Sequence, residues 1–310
     1  MKKVFIDGSS GTTGLRIRSR LEKRTDIELV ILPENERKEP KCIEKAINES
    51  DITFLCLPDD AAREAAAMVR NDKTVVLDTS TAHRVAPGWV YGFPEIEKGG
   101  FEKIAAAKRI AVPGCHASGF ISLVRPLVDA GVVAPFTRLT AFSLTGYSGG
   151  GKKMIAQYEA DGRDALLGAP RQYGIAQKHK HLPEMVKISG IGIEPGFCPI
   201  VADFYSGMEV TVTLFSEDLV PGKTVEDVKN AYRELFTGPI VRYADDSDEA
   251  GFLSAGAKTG RDSMEISVFG NEERMLLTSR YDNLGKGASG AAIECMNIVL
   301  GLAPETGLEL

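Results

Sequence analysis

The chain has 310 residues, 43% of them hydrophobic and 26% charged, the make-up of two ordinary globular domains or one large one. Its net charge of −6 argues against the basic surface that a nucleic-acid binder carries, and no apolar run is long enough to span a bilayer as a helix. Five cysteines (Cys42, Cys56, Cys115, Cys198, Cys295) lie far apart with no Cys-x-x-Cys pair. That pattern predicts neither a metal site nor a disulfide framework, and fits free thiols in a reducing cytoplasm.

Residues 4–7 read as a short buried strand entered almost at once, so no signal peptide is expected. Gly8, Gly11 and Gly14 follow at Gly-x-x-Gly-x-x-Gly spacing, and residues 15–23 have helical character. A strand, a glycine-rich turn and a helix together form the context in which backbone approaches a pyrophosphate at a helix N-terminus. Ser9, Ser10, Thr12 and Thr13 supply hydroxyl donors within the turn. A second strand, 28–32, runs into Pro33-Glu34-Asn35-Glu36-Arg37-Lys38. Glu34 is placed to bind ribose hydroxyls, whereas Arg37 and Lys38 would receive a 2′-phosphate. A solvated charge run explains the same residues, and the choice between NAD and NADP stays open at this point.

Residues 42–49 predict a helix, 51–58 a buried strand stopped by Pro58, 59–70 an alanine-rich helix and 74–78 another strand. Alternation in this register means a parallel, doubly wound sheet with ligands beyond the strand carboxyl ends. A further strand, 109–112, ends at Pro113-Gly114-Cys115. The apolar run after Cys115 predicts a buried helix with the thiol in its first turn, where free N–H groups and the helix dipole favour a thiolate. A small buried hydrophobe is the plain alternative for a free cysteine.

Beyond residue 130 the texture changes. Strand-like stretches at 138–144 and 209–215, a glycine-lysine loop at 146–153 and a hairpin around Asn271-Glu272 predict an α+β domain with a mostly antiparallel sheet. A small-residue helix at 287–302 is suited to packing back onto the first domain. The expected division is a Rossmann-type nucleotide domain at 1–114, a catalytic and dimerisation domain at 115–286 and a returning helix at 287–310.

Taken in order, seven stretches resemble one family. They are Gly8–Gly14, 78–84, 91–95, Pro113-Gly114-Cys115, 148–152, His179-Lys180-His181-Leu182-Pro183-Glu184 and 282–288. The chain resembles the shorter type of N-acetyl-γ-glutamyl-phosphate reductase, in the superfamily of aspartate-semialdehyde dehydrogenase. The sequence departs from the longer type at His83, His116 and Lys152, which leaves the substrate contacts less defined.

The resemblance implies NADPH-dependent reduction of an acyl phosphate to an aldehyde in arginine biosynthesis, with NADP favoured over NAD, through homodimers or homotetramers formed by the second domain's sheet. Cys115 would be the nucleophile. His181, with His179 as its competitor, would move the proton. Two residues apart in an extended segment, both histidines would share a face, with Glu184 orienting the ring of His181. His116, next along a helix, would point elsewhere. Asn283 and Lys286 would lie near the nicotinamide. Ser80, Arg84, Ser148 and Lys152 would surround an anionic substrate, with Ser148–Gly151 offering a backbone nest to phosphate. Two other readings are a reductase of aspartyl or aminoadipyl phosphate, and a non-enzymatic nucleotide-binding redox sensor in which Cys115 is oxidised.

Overall fold

The computed structural model describes all 310 residues. In chain order its principal elements are β1 (Lys2–Asp7), α1 (Thr12–Leu21), β2 (Ile27–Val30), α2 (Pro40–Glu49), β3 (Ile52–Leu55), α3 (Asp59–Ala67), β4 (Val75–Asp78), β5 (Val90–Tyr91), α4 (Gly100–Ala106) and β6 (Arg109–Ala111). They continue with α5 (Cys115–Asp129), β7 (Thr140–Gly146), α6 (Gly151–Glu159), β8 (Arg171–Gln172), α7 (Leu182–Ser189), β9 (Gly196–Ala202), β10 (Met208–Phe215) and α8 (Val225–Leu235). The chain ends with β11 (Val241–Tyr243), β12 (Met264–Gly270), β13 (Arg274–Tyr281) and α9 (Gly290–Val299).

Two compact units result. The first comprises Met1–Pro94, Gly99–Pro113 and Ala288–Leu308. Its six strands pair in the order β2-β1-β3-β4-β6-β5, all parallel. β3 and β4 are buried along their whole length, which is why they read as mostly apolar stretches rather than as alternations. One face of the sheet packs on α9, through residues such as Ala292, Ile293 and Met296. The other face covers Phe5, Leu55 and Val76 with Ile47 and Ala65.

The second unit comprises Glu95–Lys98, Gly114–Gly287 and Glu309–Leu310. Its seven strands run β11-β12-β13-β10-β7-β9-β8. The β11–β12 and β7–β9 pairs are parallel and the others antiparallel. β10 alternates strictly between buried and part-exposed positions, the mark of a sheet with one covered face. On that face lies α5, nearly all of it buried from His116 to Leu127, packed against β10, β13, α7 and α8.

The doubly wound sheet and the second, mixed sheet match the expected fold class. Two local expectations fail. The stretch at 146–153 is not a loop: a 3₁₀ turn at Tyr147–Gly150 leads directly into α6. The last helix does not start at residue 287 but is preceded by a π-helical turn at Gly285–Ser289.

Candidate active site and nucleotide cleft

In the first unit the glycine turn closes β1 against α1. Gly8 has φ +80°, and a Cβ there would stand 2.2 Å from the Cys56 carbonyl oxygen. A Cβ at Gly14 would stand 2.4 Å from the Gly8 carbonyl oxygen, so only glycine lets the turn fold onto itself. Gly11 caps α1, and Thr12, Thr13 and Gly14 form its first turn, which leaves backbone N–H groups for an anion. A cavity of about 350 Å³ opens beside this turn. Gly8, Ser9 and Ser10 line it, as do Glu34, Arg37 and Lys38 after β2. Burial pushes the Asp7 carboxyl, also in the lining, up to about 6.

The lining therefore brings together backbone of the glycine turn, two carboxylates (Asp7 and Glu34) and three cations (Arg18, Arg37 and Lys38). A glycine turn at a helix N-terminus with cations beside it suits the phosphates of a pyridine dinucleotide.

Ser80 and Arg84 sit after β4, as the sequence placed them, but their polar atoms hold the loop together. Ser80 Oγ donates to Asp78 at 2.7 Å. Arg84 donates to the carbonyls of Val112 and Thr79 at 3.0 and 3.1 Å. His83 meets the same Asp78 carboxylate at 2.6 Å and stacks on Trp89 at 3.9 Å.

In the second unit Cys115 is the first residue of α5, behind Gly114 at the cap. Gly114 N–H donates to Glu184 Oε2 at 3.1 Å, so α7 holds the turn that presents the thiol. Three imidazoles gather beside this turn. The His179 and His181 rings are 4.8 Å apart, and the His116 ring lies 5.6 Å from His179 and 5.7 Å from His181.

The expectation that His116 points away from the site is therefore wrong. Its Nδ1 meets Ser143 Oγ and its Nε2 meets Tyr173 Oη, each at 2.6 Å. The extended histidine segment is also wrong. Leu182 N–H donates to the His179 carbonyl and Met185 N–H to that of His181, so His181 is a helical cap residue with φ −87° and ψ −11°. Pro183 in the first turn of α7 favours that early helical start. The two rings meet because the chain turns, with His181 N–H donating to His179 Nδ1 at 3.2 Å.

Burial, reinforced by the charges of His179 and Lys180, pushes His116 down to about 3. Burial and then the Lys180 charge push His179 down to about 4. Both rings are neutral at pH 7. His181 is buried and its Nε2 stands 3.9 Å from Glu184 Oε1. That spacing is too long for a hydrogen bond between these two atoms. Desolvation raises the Tyr173 phenol, and the Cys115 charge raises it further.

Asn283, Lys286 and Ser148 are buried and committed within the unit. Asn283 accepts from Gly207 N–H and donates to Ser148 Oγ, each at 3.0 Å. Lys286 Nζ donates to both Glu95 carboxylate oxygens at 2.8 Å. The backbone nest at 148–151 fails at two positions: Ser148 N–H donates to the Tyr205 carbonyl and Gly151 N–H to that of Ser148. Lys152 lies exposed in the first turn of α6. Sequence reasoning missed Tyr173 and Ser143, which no local motif marks, and Glu95, whose stretch was noted without a role.

Two family models match the chain. The semialdehyde dehydrogenase NAD-binding domain covers residues 3–104 and the semialdehyde dehydrogenase dimerisation domain covers residues 115–283. The N-acetyl-gamma-glutamyl-phosphate reductase of Rhizobium meliloti (strain 1021) is 45% identical over 96% of this chain and 98% of its own length. The N-acetyl-gamma-glutamyl-phosphate reductase 2 of Nostoc sp. is 43% identical over 99% of both chains. Among solved structures, aspartate semialdehyde dehydrogenase II from Vibrio cholerae, complexed with ASA, superposes with a TM-score of 0.73 at 16% identity, covering 97% of this chain and 98% of that one. The enzyme from Francisella tularensis gives 0.70 at 16% identity, covering 97% and 100%. At that identity the likeness is one of fold.

Proposed function

Because the chain belongs to the N-acetyl-gamma-glutamyl-phosphate reductase family, we propose that it reduces N-acetyl-γ-glutamyl phosphate to N-acetylglutamate semialdehyde and phosphate, a step of arginine biosynthesis, with NADPH as reductant. The observation that carries this reading is Cys115 at the first residue of a buried helix, beside three gathered histidines.

In the first step the Cys115 thiolate attacks the acyl carbon. A carbon–sulfur bond forms, the carbon–oxygen bond to phosphate breaks, and phosphate leaves with its electron pair. N–H groups of the first turn of α5 donate to the oxygen that becomes negative. When bound, the dinucleotide supplies a hydride. His181 is the residue we assign to proton transfer at the oxygen of the Cys115 adduct, since His116 and His179 are driven far below neutrality by burial. Return of that oxygen to a carbonyl expels the thiolate and frees the aldehyde.

NADP rather than NAD is supported by Arg37 and Lys38 in the lining of the cleft. A homo-oligomer is supported by the dimerisation-domain match. We assign its contact to the outer face of the second sheet, where Phe142, Phe215 and Leu276 are exposed, as a homodimer or homotetramer. No helix is long and apolar enough to cross a membrane. A cytoplasmic setting is supported by five cysteines that are not joined in disulfides.

The reverse reaction tests the proposal. Phosphate-dependent formation of reduced nicotinamide from N-acetylglutamate semialdehyde, lost in Cys115→Ser, is expected. Turnover on aspartate semialdehyde alone would move the chain to the aspartyl branch. Tight dinucleotide binding without turnover on any aldehyde would leave a redox sensor.

A further inference from the structure

Tyr281, the last residue of β13, is fully buried, and its hydroxyl sits within the first turn of α5. It accepts the Gly119 N–H at 3.0 Å and donates to the Cys115 carbonyl at 2.6 Å. Cys115 and Gly119 are an i, i+4 pair of that helix, one step after Gly114 and Ser118, where the Ser118 N–H donates to the Gly114 carbonyl at 2.9 Å. The phenol thus bridges the carbonyl of the first helical residue and the N–H one turn on, and so clamps the turn that carries Cys115.

The surroundings are shaped to admit it. A Cβ at Gly119 would stand 2.6 Å from the Tyr281 oxygen. A Cβ at Gly287 would stand 3.1 Å from Cys115 Cβ and 3.4 Å from the Tyr281 ring. Burial, and then the charge at Cys115, hold the phenol far above its ordinary range, so the hydroxyl keeps its proton and remains a donor. A side chain inserted at a helical turn sets the local direction of the helix. Here that turn carries the N–H groups on which a Cys115 thiolate depends.

We propose that Tyr281 is a positioning residue for the nucleophile: its hydroxyl fixes the opening turn of α5, and with it the N–H groups that face the Cys115 sulfur. The proposal rests on the reading of Cys115 as nucleophile. The same helix supplies a control for mere anchoring. Tyr232, also fully buried, donates its hydroxyl to the Leu123 carbonyl at 2.5 Å, two turns farther on.

The experiment compares Tyr281→Phe with Tyr232→Phe in the full-length protein. The pH dependence of Cys115 alkylation by iodoacetamide is followed by mass spectrometry of its peptide, together with kcat, KM and thermal midpoint. Both variants lose a hydroxyl to a buried carbonyl and are expected to lower the midpoint. Only Tyr281→Phe should move the Cys115 profile upward, by about one pH unit, with kcat down about tenfold and KM within about twofold. Gly119→Ala, which crowds the hydroxyl out of the turn, should move the profile the same way. A profile unchanged in Tyr281→Phe, or shifted equally by Tyr232→Phe, would overturn the proposal. Retained turnover in Cys115→Ser would remove the nucleophile reading and this proposal with it, and that result is read independently of the alkylation profile.

Discussion

Glu184 Oε2 accepts the Gly114 N–H at 3.1 Å, which ties the helix that His181 opens to the residue that caps the nucleophile helix. Both ends of this bond are buried. Glu184→Ala leaves a buried N–H unpaired at a cost of about 1–3 kcal/mol. It should also lower kcat about 10- to 100-fold, because small misplacements of reacting groups are costly. Glu184→Gln keeps an oxygen acceptor and should retain most of both. Steady-state kinetics and thermal melts of the two variants check this.

His181 and His179 separate by role. His181→Gln should lower kcat by about 10²–10⁴ and remove the limb of the pH–rate profile that reports the proton-transfer group. His179→Gln should cost about tenfold or less and leave that limb in place, since burial keeps His179 neutral down to about pH 4. Equal losses with equal profiles in the two variants would contradict the assignment.

Arg37 should decide cofactor choice. Arg37→Ala removes a guanidinium from the cleft lining and should raise KM for NADPH about 10- to 100-fold while leaving KM for NADH nearly unchanged. Initial rates with the two cofactors check it.

His116 makes stability depend on pH. Its imidazole falls from an ordinary 6.5 to about 3 on folding, so below about pH 6 the unfolded chain binds a proton that the folded chain refuses. Stability is therefore lost as pH falls, by about 1.4 kcal/mol per pH unit from this residue, down to about pH 3. Asp7 works in the opposite sense: with its pKa raised to about 6, its protonation stabilises the fold between about pH 6 and 4. The difference between wild type and His116→Phe isolates the histidine. Denaturant unfolding from pH 7 to 4 should show a shallower acid loss in the variant.

The first unit was legible because its chemistry is local. Buried parallel strands leave continuous apolar runs such as Val75-Val76-Leu77, and the glycine turn announces itself by spacing. The second unit hides more. Three glycines at 149–151 read as a loop, yet α6 starts at Gly151. The spacing of His179 and His181 suggested an extended segment, although Pro183 already signalled a helix start. His116 was set aside by its offset from Cys115, but its partners, Ser143 and Tyr173, come from distant strand and loop segments. Tyr281 stood one residue before a recognised motif, and only the fold brings its hydroxyl to Cys115.

The central claim is covalent catalysis at Cys115, and trapping the acylated enzyme tests it most directly. Mixing the protein with N-acetyl-γ-glutamyl phosphate in the absence of reductant should release a burst of phosphate approaching one per chain. The Cys115 peptide should gain the acyl mass, and Cys115→Ser should give neither signal. Reduced nicotinamide turnover with no burst and no modified Cys115 peptide would contradict the account.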